Sequence, residues 1–277
     1  MKVVVNPKYA HLEHFISNII SHQYKVDVVY RAFRNRVEDV TEGGERMVIK
    51  IFKKPTEFNR VVYTWLRPSK AKRSYEKSFK LLELGINVPE PIAYIEQKKG
   101  LFFHTGYYIC KYVDYRAIDD FVNFKPTNFD QFLEIDSLLR EVASLAAQLH
   151  LKGVIHNDFN KDNILYKRIE EDNLENKKRF EFCLIDLNRV KVGCNSLNKA
   201  AKDLSNIHLG YTLSQRVVEE YCKIRALNPD TFAPMVLKHS NKYLHKSLLK
   251  DIFLTPIGLR KHRTADGYKE KCKKKKE

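Results

Sequence analysis

The sequence lacks three features that would mark whole classes of protein. No stretch approaches the roughly 18 consecutive apolar residues of a membrane-spanning helix. The five cysteines are scattered and form no C-x-x-C pair, which disfavours a disulfide framework and a cysteine-rich zinc site. Only 10 glycines and 9 prolines occur in 277 residues, which excludes collagen-like and low-complexity chains.

The start of the chain also lacks a targeting pattern. Its apolar run covers only Val3–Val5 and is followed directly by Asn6 and Pro7. A secretory signal peptide carries an apolar segment of about 7–15 residues. We therefore expect no signal peptide and a cytoplasmic protein.

Positive charge is what the sequence has in excess. It holds 50 Lys and Arg against 34 Asp and Glu, for a formal net charge of +16. Residues 260–277 hold nine of the basic residues, and such a run is typical of a solvated, disordered tail. Residues 50–80 hold ten basic and two acidic residues, and this surface would attract nucleic acid, anionic lipid or a phosphorylated substrate.

The apolar pattern predicts a sheet-rich first half and a helical second half. A turn is predicted at residues 41–45, and a helix C-cap at Gly85. The predicted strands cover residues 26–33, 47–52, 106–113, 164–166 and 180–185, and the predicted helices cover residues 70–84, 130–150 and most of the chain after residue 200.

These elements predict an α+β fold of two lobes. Residues 1–113 would form an N-lobe with a small antiparallel sheet and one helix. Residues 114–259 would form a mostly helical C-lobe, and residues 260–277 the basic tail.

The candidate chemistry lies in a loop and in the strand that follows it. His156, Asp158 and Asn163 form the pattern H-x-D-x-x-x-x-N, and Asp186 ends an apolar strand about twenty residues later. Phosphoryl transfer needs hard oxygen ligands for divalent ions, which Asn163 and Asp186 supply. Asp158 can orient the acceptor hydroxyl and accept its proton. We expect His156 to support the loop.

Two residues upstream complete the pattern. Lys50 ends an apolar strand, and Glu76 lies on the helix that follows. A lysine on a rigid strand can reach the α and β phosphates of ATP, and a glutamate on the facing helix can hold that lysine. Each residue alone is weak support for a kinase, but their order along the chain is that of the protein-kinase-like fold.

Residues 30 to 190 resemble the lipopolysaccharide kinase family, the Kdo/WaaP-type sugar kinases. The resemblance rests on Tyr30–Asn35, Val48–Lys53, Ser69–Glu76 and Leu82–Tyr94, in addition to the kinase pattern. It implies ATP and Mg²⁺ as cofactors and a Kdo or heptose hydroxyl of the lipopolysaccharide core as acceptor. It also implies the roles given above to Lys50, Glu76, Asp158, Asn163 and Asp186.

The nucleotide site departs from the usual kinase pattern. No G-x-G-x-x-G joins the first two strands, and the predicted hairpin tip instead holds Arg34 and Asn35, which could contact phosphate. The metal-binding Asp186 is followed by Leu and Asn instead of Phe and Gly, which argues against an activation loop that flips. We expect the adenine to bond to backbone near Cys110 and Tyr112.

The substrate surface is predicted from the basic stretch. It would suit a charged core sugar at an anionic membrane, and its apolar residues could contact the membrane interface. These residues are Phe58, Tyr63, Trp65 and Leu66. We therefore expect peripheral contact with the cytoplasmic face of the inner membrane and no nucleic-acid partner.

Three alternatives stay open. A compact atypical Ser/Thr protein kinase would use the same catalytic residues, with the basic surface docking nucleic acid or ribonucleoprotein. A pseudokinase would bind a partner without turnover, although all metal and base positions are filled. An antibiotic kinase resembling aminoglycoside phosphotransferases would need an acidic pocket for its cationic substrate, whereas this surface is basic.

Overall fold

Two antiparallel sheets and eight α-helices make up the described part of the chain. The computed structural model describes residues 1–31, 35–52, 54–122, 128–169 and 179–254. The strands are β1 Lys2–Val5, β2 Val28–Arg31, β3 Asn35–Glu42, β4 Glu45–Phe52, β5 Pro91–Lys99, β6 Phe102–Lys111, β7 Arg116–Ala117, β8 Ile164–Arg168 and β9 Phe180–Leu184. The helices are α1 Glu13–Asn18, α2 Glu57–Val61, α3 Lys70–Glu83, α4 Ile118–Val122, α5 Phe129–Leu151, α6 Leu197–Ser205, α7 Tyr211–Arg225 and α8 Pro229–Leu254.

The larger sheet has the strand order β1-β5-β6-β4-β3-β2, and the smaller has the order β7-β8-β9. The hairpin between β3 and β4 turns at Gly43 and Gly44, whose φ angles of 57° and 78° favour glycine. The predicted turn at residues 41–45 is therefore confirmed. Sequence patterns missed β1, which pairs with β5 from Lys2–Glu96 to Val5–Ala93.

Both faces of the large sheet are covered. One face packs on the segment before β2, where Tyr9, Leu12 and Ile16 are buried against Ile49 and Ile109. The other face packs on α3, and its buried side chains include those of Phe52, Ala71, Tyr75, Tyr94 and Tyr108. Because Lys50 pairs with Tyr108, its side chain lies on this second face, toward the rest of the molecule.

Helix α3 begins and ends for local reasons, and the sequence predicts the one at its C-terminus. The hydroxyl of Ser69 accepts a hydrogen bond from the N–H of Lys72 at 3.1 Å and caps the N-terminus. Gly85, with φ 67°, follows the C-terminus. The end of α3 also joins the helical part, because Leu81, Ile86 and Val88 belong to the large core built around α5.

Some predictions fall outside the described residues. Arg34 and the basic tail at residues 260–277 are among them. Neither α5 nor α8, nor any shorter helix of the described ranges, is long and apolar enough to cross a membrane.

Candidate active site

The loop with the H-x-D-x-x-x-x-N pattern lies between α5 and β8 and holds its own shape. The amide of Asn163 donates to the carbonyl of Asp158 at 2.9 Å. The carbonyl of Asn163 accepts from the N–H of Ile185 at 3.0 Å, next to Asp186. These two bonds bring Asp158, Asn163 and Asp186 to one site, as predicted from their order along the chain.

A buried carboxylate that the sequence analysis missed supports this loop. Asp203 on α6 is fully buried and accepts hydrogen bonds from the N–H groups of His156 and Asn157, at 2.6 and 2.8 Å. Asn157 has φ 62°, a left-handed conformation that costs free energy and needs such support. Nothing local in the sequence identifies Asp203, since it lies 47 residues beyond His156.

His156 acts as a structural residue here. Its ring is buried, and its Nε2 lies 3.1 Å from the carbonyl of Ile185. Burial lowers the pKa of His156 below its ordinary value, against the opposing charge of Asp203. The ring is therefore neutral at pH 7 and holds the loop against the segment between the end of β9 and Asp186.

Lys50 and Asp186 form an ion pair in the site. Lys50 Nζ lies 2.6 Å from Asp186 Oδ1, and both side chains are mostly buried. The amide of Asn188 donates to the same oxygen at 2.5 Å, which gives the Asn in the D-L-N sequence a positioning role. Burial raises the pKa of Asp186, but the charge and hydrogen bond of Lys50 and the bond from Asn188 outweigh burial and lower it.

Glu76 is not the partner of Lys50 in the structure, and that prediction is wrong. Its side chain is 53% exposed and pairs with Lys72 at 3.6 Å on the same helix. The face of α3 toward the sheet carries Ser74 and Ser78, and Glu76 lies between them in sequence, on the opposite side of the helix. The nearby Glu83 is also exposed, so neither glutamate of α3 reaches the sheet.

The backbone N–H groups at the predicted adenine contact already donate hydrogen bonds within the protein. The N–H of Lys111 donates to the carbonyl of Glu90, and the N–H of Tyr112 to the carbonyl of Arg46, at 2.9 and 3.0 Å. Neither N–H is therefore available to adenine, and the expected backbone contact near Cys110 and Tyr112 stays a prediction. Cys110 is buried, and burial raises its thiol pKa to about 12, so the thiol is neutral at pH 7.

A cleft of about 370 Å³ opens beside the catalytic loop and Asp186. Its lining includes Asn35, Lys70, Asp158, Asp186 and Arg189. Asn35 thus lines the cleft from the first residue of β3, where it pairs with Phe52, and its contact with phosphate stays a prediction.

Two side-chain oxygens, one on Asn163 and one on the cleft residue Asp186, fit a magnesium ion. Asn163 uses its amide nitrogen for the bond to Asp158, which leaves its Oδ1 as a ligand atom. Asp186 Oδ1 binds Lys50 and Asn188, which leaves Oδ2. Within the described ranges, no three His, Cys, Asp or Glu side chains gather as a metal cluster. Two oxygen ligands suit Mg²⁺, which takes its other ligands from phosphate and water.

Comparisons with known proteins identify a matching family and fold. The sequence model of the lipopolysaccharide kinase (Kdo/WaaP) family matches residues 40–223. A solved structure of WaaP in complex with acyl carrier protein superposes with a TM-score of 0.59, at 17% identity, over 87% of this chain and 99% of that one. The Rio2 kinase from Chaetomium thermophilum, as an ADP/Mg²⁺-phosphoaspartate complex, gives a TM-score of 0.46 at 17% identity, over 88% of this chain and 77% of that one. No curated protein sequence matches. The predicted protein-kinase-like fold is confirmed.

Proposed function

Since the chain belongs to the lipopolysaccharide kinase (Kdo/WaaP) family and is therefore an ATP-dependent kinase, we propose that it phosphorylates a Kdo or heptose hydroxyl of the lipopolysaccharide core. The observation that carries the proposal is the joint position of Asp158, Asp186 and Lys50 beside one cleft. A carboxylate beside the metal ligand and the phosphate-binding lysine is what transfer to a hydroxyl requires.

Each side chain then has a role that its contacts support. Asp158 is about 29% exposed at the cleft and can accept the proton of the sugar hydroxyl. Lys50, placed by β4, would bind the α and β phosphates of ATP, and Asn35 would contact phosphate from β3. Asn163 and Asp186 would hold Mg²⁺, which when bound neutralises negative charge on the phosphates.

The test is transfer of label from γ-labelled ATP to de-acylated lipopolysaccharide core. We expect Asp158→Asn to lower kcat by about 10²–10⁴-fold, the usual loss for a general base. Asp162→Asn is the matched control, because Asp162 lies in the same loop with an exposed side chain. Label on an added protein, with none on the sugar, would favour the atypical protein kinase. Equal rates for the two variants would remove Asp158 from the mechanism.

We also propose that the protein contacts an anionic membrane on its cytoplasmic face through the segment around α2. The π-helical turn Val62–Leu66 continues α2. Phe58, Trp65 and Leu66 are 78%, 62% and 78% exposed, within a basic stretch, whereas Tyr63 packs edge-on against Phe103. Exposed aromatic and aliphatic side chains among cations are typical of an interfacial membrane contact.

Trp65 reports on this contact directly, because it is the only tryptophan in the sequence. We expect its fluorescence to shift to shorter wavelength with phosphatidylglycerol vesicles, and the shift to weaken at high salt. Phosphatidylcholine vesicles and the variant Leu66→Ser with Phe58→Ser are the comparisons, and both should give a smaller shift. An unchanged spectrum with anionic vesicles would refute the membrane contact.

A further inference from the structure

A cysteine and a lysine face each other beside the start of α6. The ammonium group of Lys199 donates a hydrogen bond to the sulfur of Cys194, with Nζ 3.2 Å from Sγ. Both side chains are half-buried, so a small solute can reach the contact. The other three cysteines of the described ranges, Cys110, Cys183 and Cys222, are buried. The described part of the chain therefore presents one thiol both to solvent and to an amine.

The surroundings of the Cys194 sulfur favour its thiolate form. The N–H of Ser196 donates to the sulfur and lowers the thiol pKa, and the hydrogen bond and charge of Lys199 and the charge of Lys191 lower it further, against the opposing effect of burial. Burial instead raises the thiol pKa of Cys110 to about 12. Because peroxides oxidise the thiolate and not the thiol, we expect Cys194 to react before the buried cysteines.

No competing partner draws the Lys199 amine away from the sulfur. Across the ranges that the structure describes, no carboxylate forms an ion pair with this amine, which instead donates to Cys194. The first turn of α6 fixes the backbone of Lys199, since its N–H donates to the carbonyl of Ser196 at 3.1 Å. A flexible four-carbon stem joins this fixed backbone to the amine. The amine can therefore close the remaining distance to the sulfur without displacing the helix.

Both ends of the pair belong to segments that support the catalytic loop. The N–H of Cys194 donates to the carbonyl of Gly153 at 2.8 Å, at the turn that joins α5 to the loop. Helix α6, which carries Lys199, also carries Asp203, the buried acceptor for the N–H of His156. A covalent bond between Cys194 and Lys199 would therefore close a short ring between these two supports.

We propose that hydrogen peroxide joins Cys194 to Lys199 through a reversible nitrogen–sulfur bond, so that this pair is a modification site outside the active site. The thiolate attacks one peroxide oxygen, the O–O bond breaks, and the second oxygen leaves as hydroxide, which takes up a proton to give water; the sulfur is thereby oxidised to a sulfenic acid. The neutral amine of Lys199 then attacks the sulfur. The S–O bond breaks, and the hydroxyl group leaves as water with one proton of the amine.

The product is a sulfenamide, in which the sulfur stays at an oxidation level that thiols can reverse. Two equivalents of a thiol, or one of a dithiol, reduce the N–S bond to the free amine and thiol and are themselves oxidised to a disulfide. The link would therefore protect Cys194 from sulfinic and sulfonic acids, which thiols do not reduce.

The test is a peptide mass map of the full chain in a Cys272→Ser background, since Cys272 lies outside the described residues and could compete for peroxide. The protein is treated with hydrogen peroxide, its free thiols are blocked, and it is digested with trypsin without reductant. We expect a peptide that contains Cys194 and Lys199, is lighter by two hydrogen atoms and is not cleaved after Lys199. Dithiothreitol should remove this peptide, and the three buried cysteines should stay reduced.

Two variants distinguish the link from ordinary thiol oxidation. Lys199→Arg keeps the positive charge but removes the amine, so peroxide should add oxygen to Cys194 and form no link. Lys191→Arg is the matched control, because Lys191 is also a basic neighbour of the sulfur, and it should form the link as the wild type does. Added oxygen on Cys194 of the wild type with normal cleavage after Lys199 would overturn the proposal. An unmodified Cys194 at a peroxide concentration that oxidises a buried cysteine would also overturn it.

Discussion

The support of the catalytic loop by Asp203 makes a prediction that combines stability with activity. We consider Asp203→Ala, which removes a fully buried carboxylate. The N–H groups of His156 and Asn157 then lose their acceptor, and both lie in the buried base of the loop. Asn157 also loses the contact that stabilises its left-handed conformation.

The magnitude follows from these two hydrogen bonds. A hydrogen bond to a charged group contributes about 1.5–3 kcal/mol, and an unsatisfied buried donor costs a similar amount. We therefore expect the free energy of unfolding to fall by about 3–6 kcal/mol. For a chain of this size, that loss corresponds to a decrease in Tm of about 5–10 °C.

The assay is urea unfolding followed by circular dichroism, together with kcat for the folded fraction at a temperature well below Tm. Asp203→Asn, which keeps one oxygen acceptor, should be destabilised less than Asp203→Ala. We expect kcat to fall about tenfold or more in Asp203→Ala, because Asp158 is placed by the same loop. A loss of stability below about 1 kcal/mol with unchanged kcat would refute the support role.

Three further predictions concern other parts of the structure. Glu76→Gln should change the free energy of unfolding by less than about 0.5 kcal/mol and leave kcat/KM within about twofold, because Glu76 forms only an exposed ion pair. Lys50→Met should lower kcat/KM by about 10²-fold or more. Loss of activity in both variants would restore Glu76 to the site. Glu90→Gln should flatten the acid limb of a curve of stability against pH. Burial raises the pKa of Glu90, but the hydrogen bonds from Lys8 and Tyr9 outweigh burial, so the folded pKa is lowered. The stabilisation from Glu90 is therefore present above the unfolded pKa of about 4.3 and is lost as the pH falls through the folded pKa. Gly106→Ala should lower the free energy of unfolding by about 1–3 kcal/mol in chemical denaturation. A Cβ at residue 106 would lie 3.1 Å from the Cβ of Ala71 and push α3 away from the sheet. An unchanged denaturation midpoint would show that α3 can shift without cost.

Local patterns predicted the elements that have local causes. The sequence predicts the Gly85 cap, the glycine turn at residues 43–44 and the order of Lys50, Asp158, Asn163 and Asp186, because each depends on residue type or spacing. The same patterns led to a resemblance that the family comparison confirmed.

What could not be predicted depends on the tertiary structure. Ser74 and Ser78 look like surface residues, yet both are buried, and Ser78 bonds the hydroxyl of Tyr108 at 2.7 Å. The sequence therefore does not show that Ser74 and Ser78 lie on the buried face of α3, and the expected pairing of Glu76 with Lys50 is wrong. The carbonyl of Arg46 that occupies the Tyr112 N–H lies 66 residues earlier in the chain, and only the sheet register brings the two together.

The most direct test of the central claim is the product itself. After incubation of the wild-type protein with MgATP and de-acylated lipopolysaccharide core, ³¹P–¹H correlated NMR of the purified sugar should give a new phosphomonoester coupled to one sugar ring proton. The same sample with Asp158→Asn should lack the signal, and the sample with Asp162→Asn should retain it. Inorganic phosphate as the only new signal from the wild type, or the same sugar phosphate from Asp158→Asn, would contradict transfer to a sugar hydroxyl through Asp158.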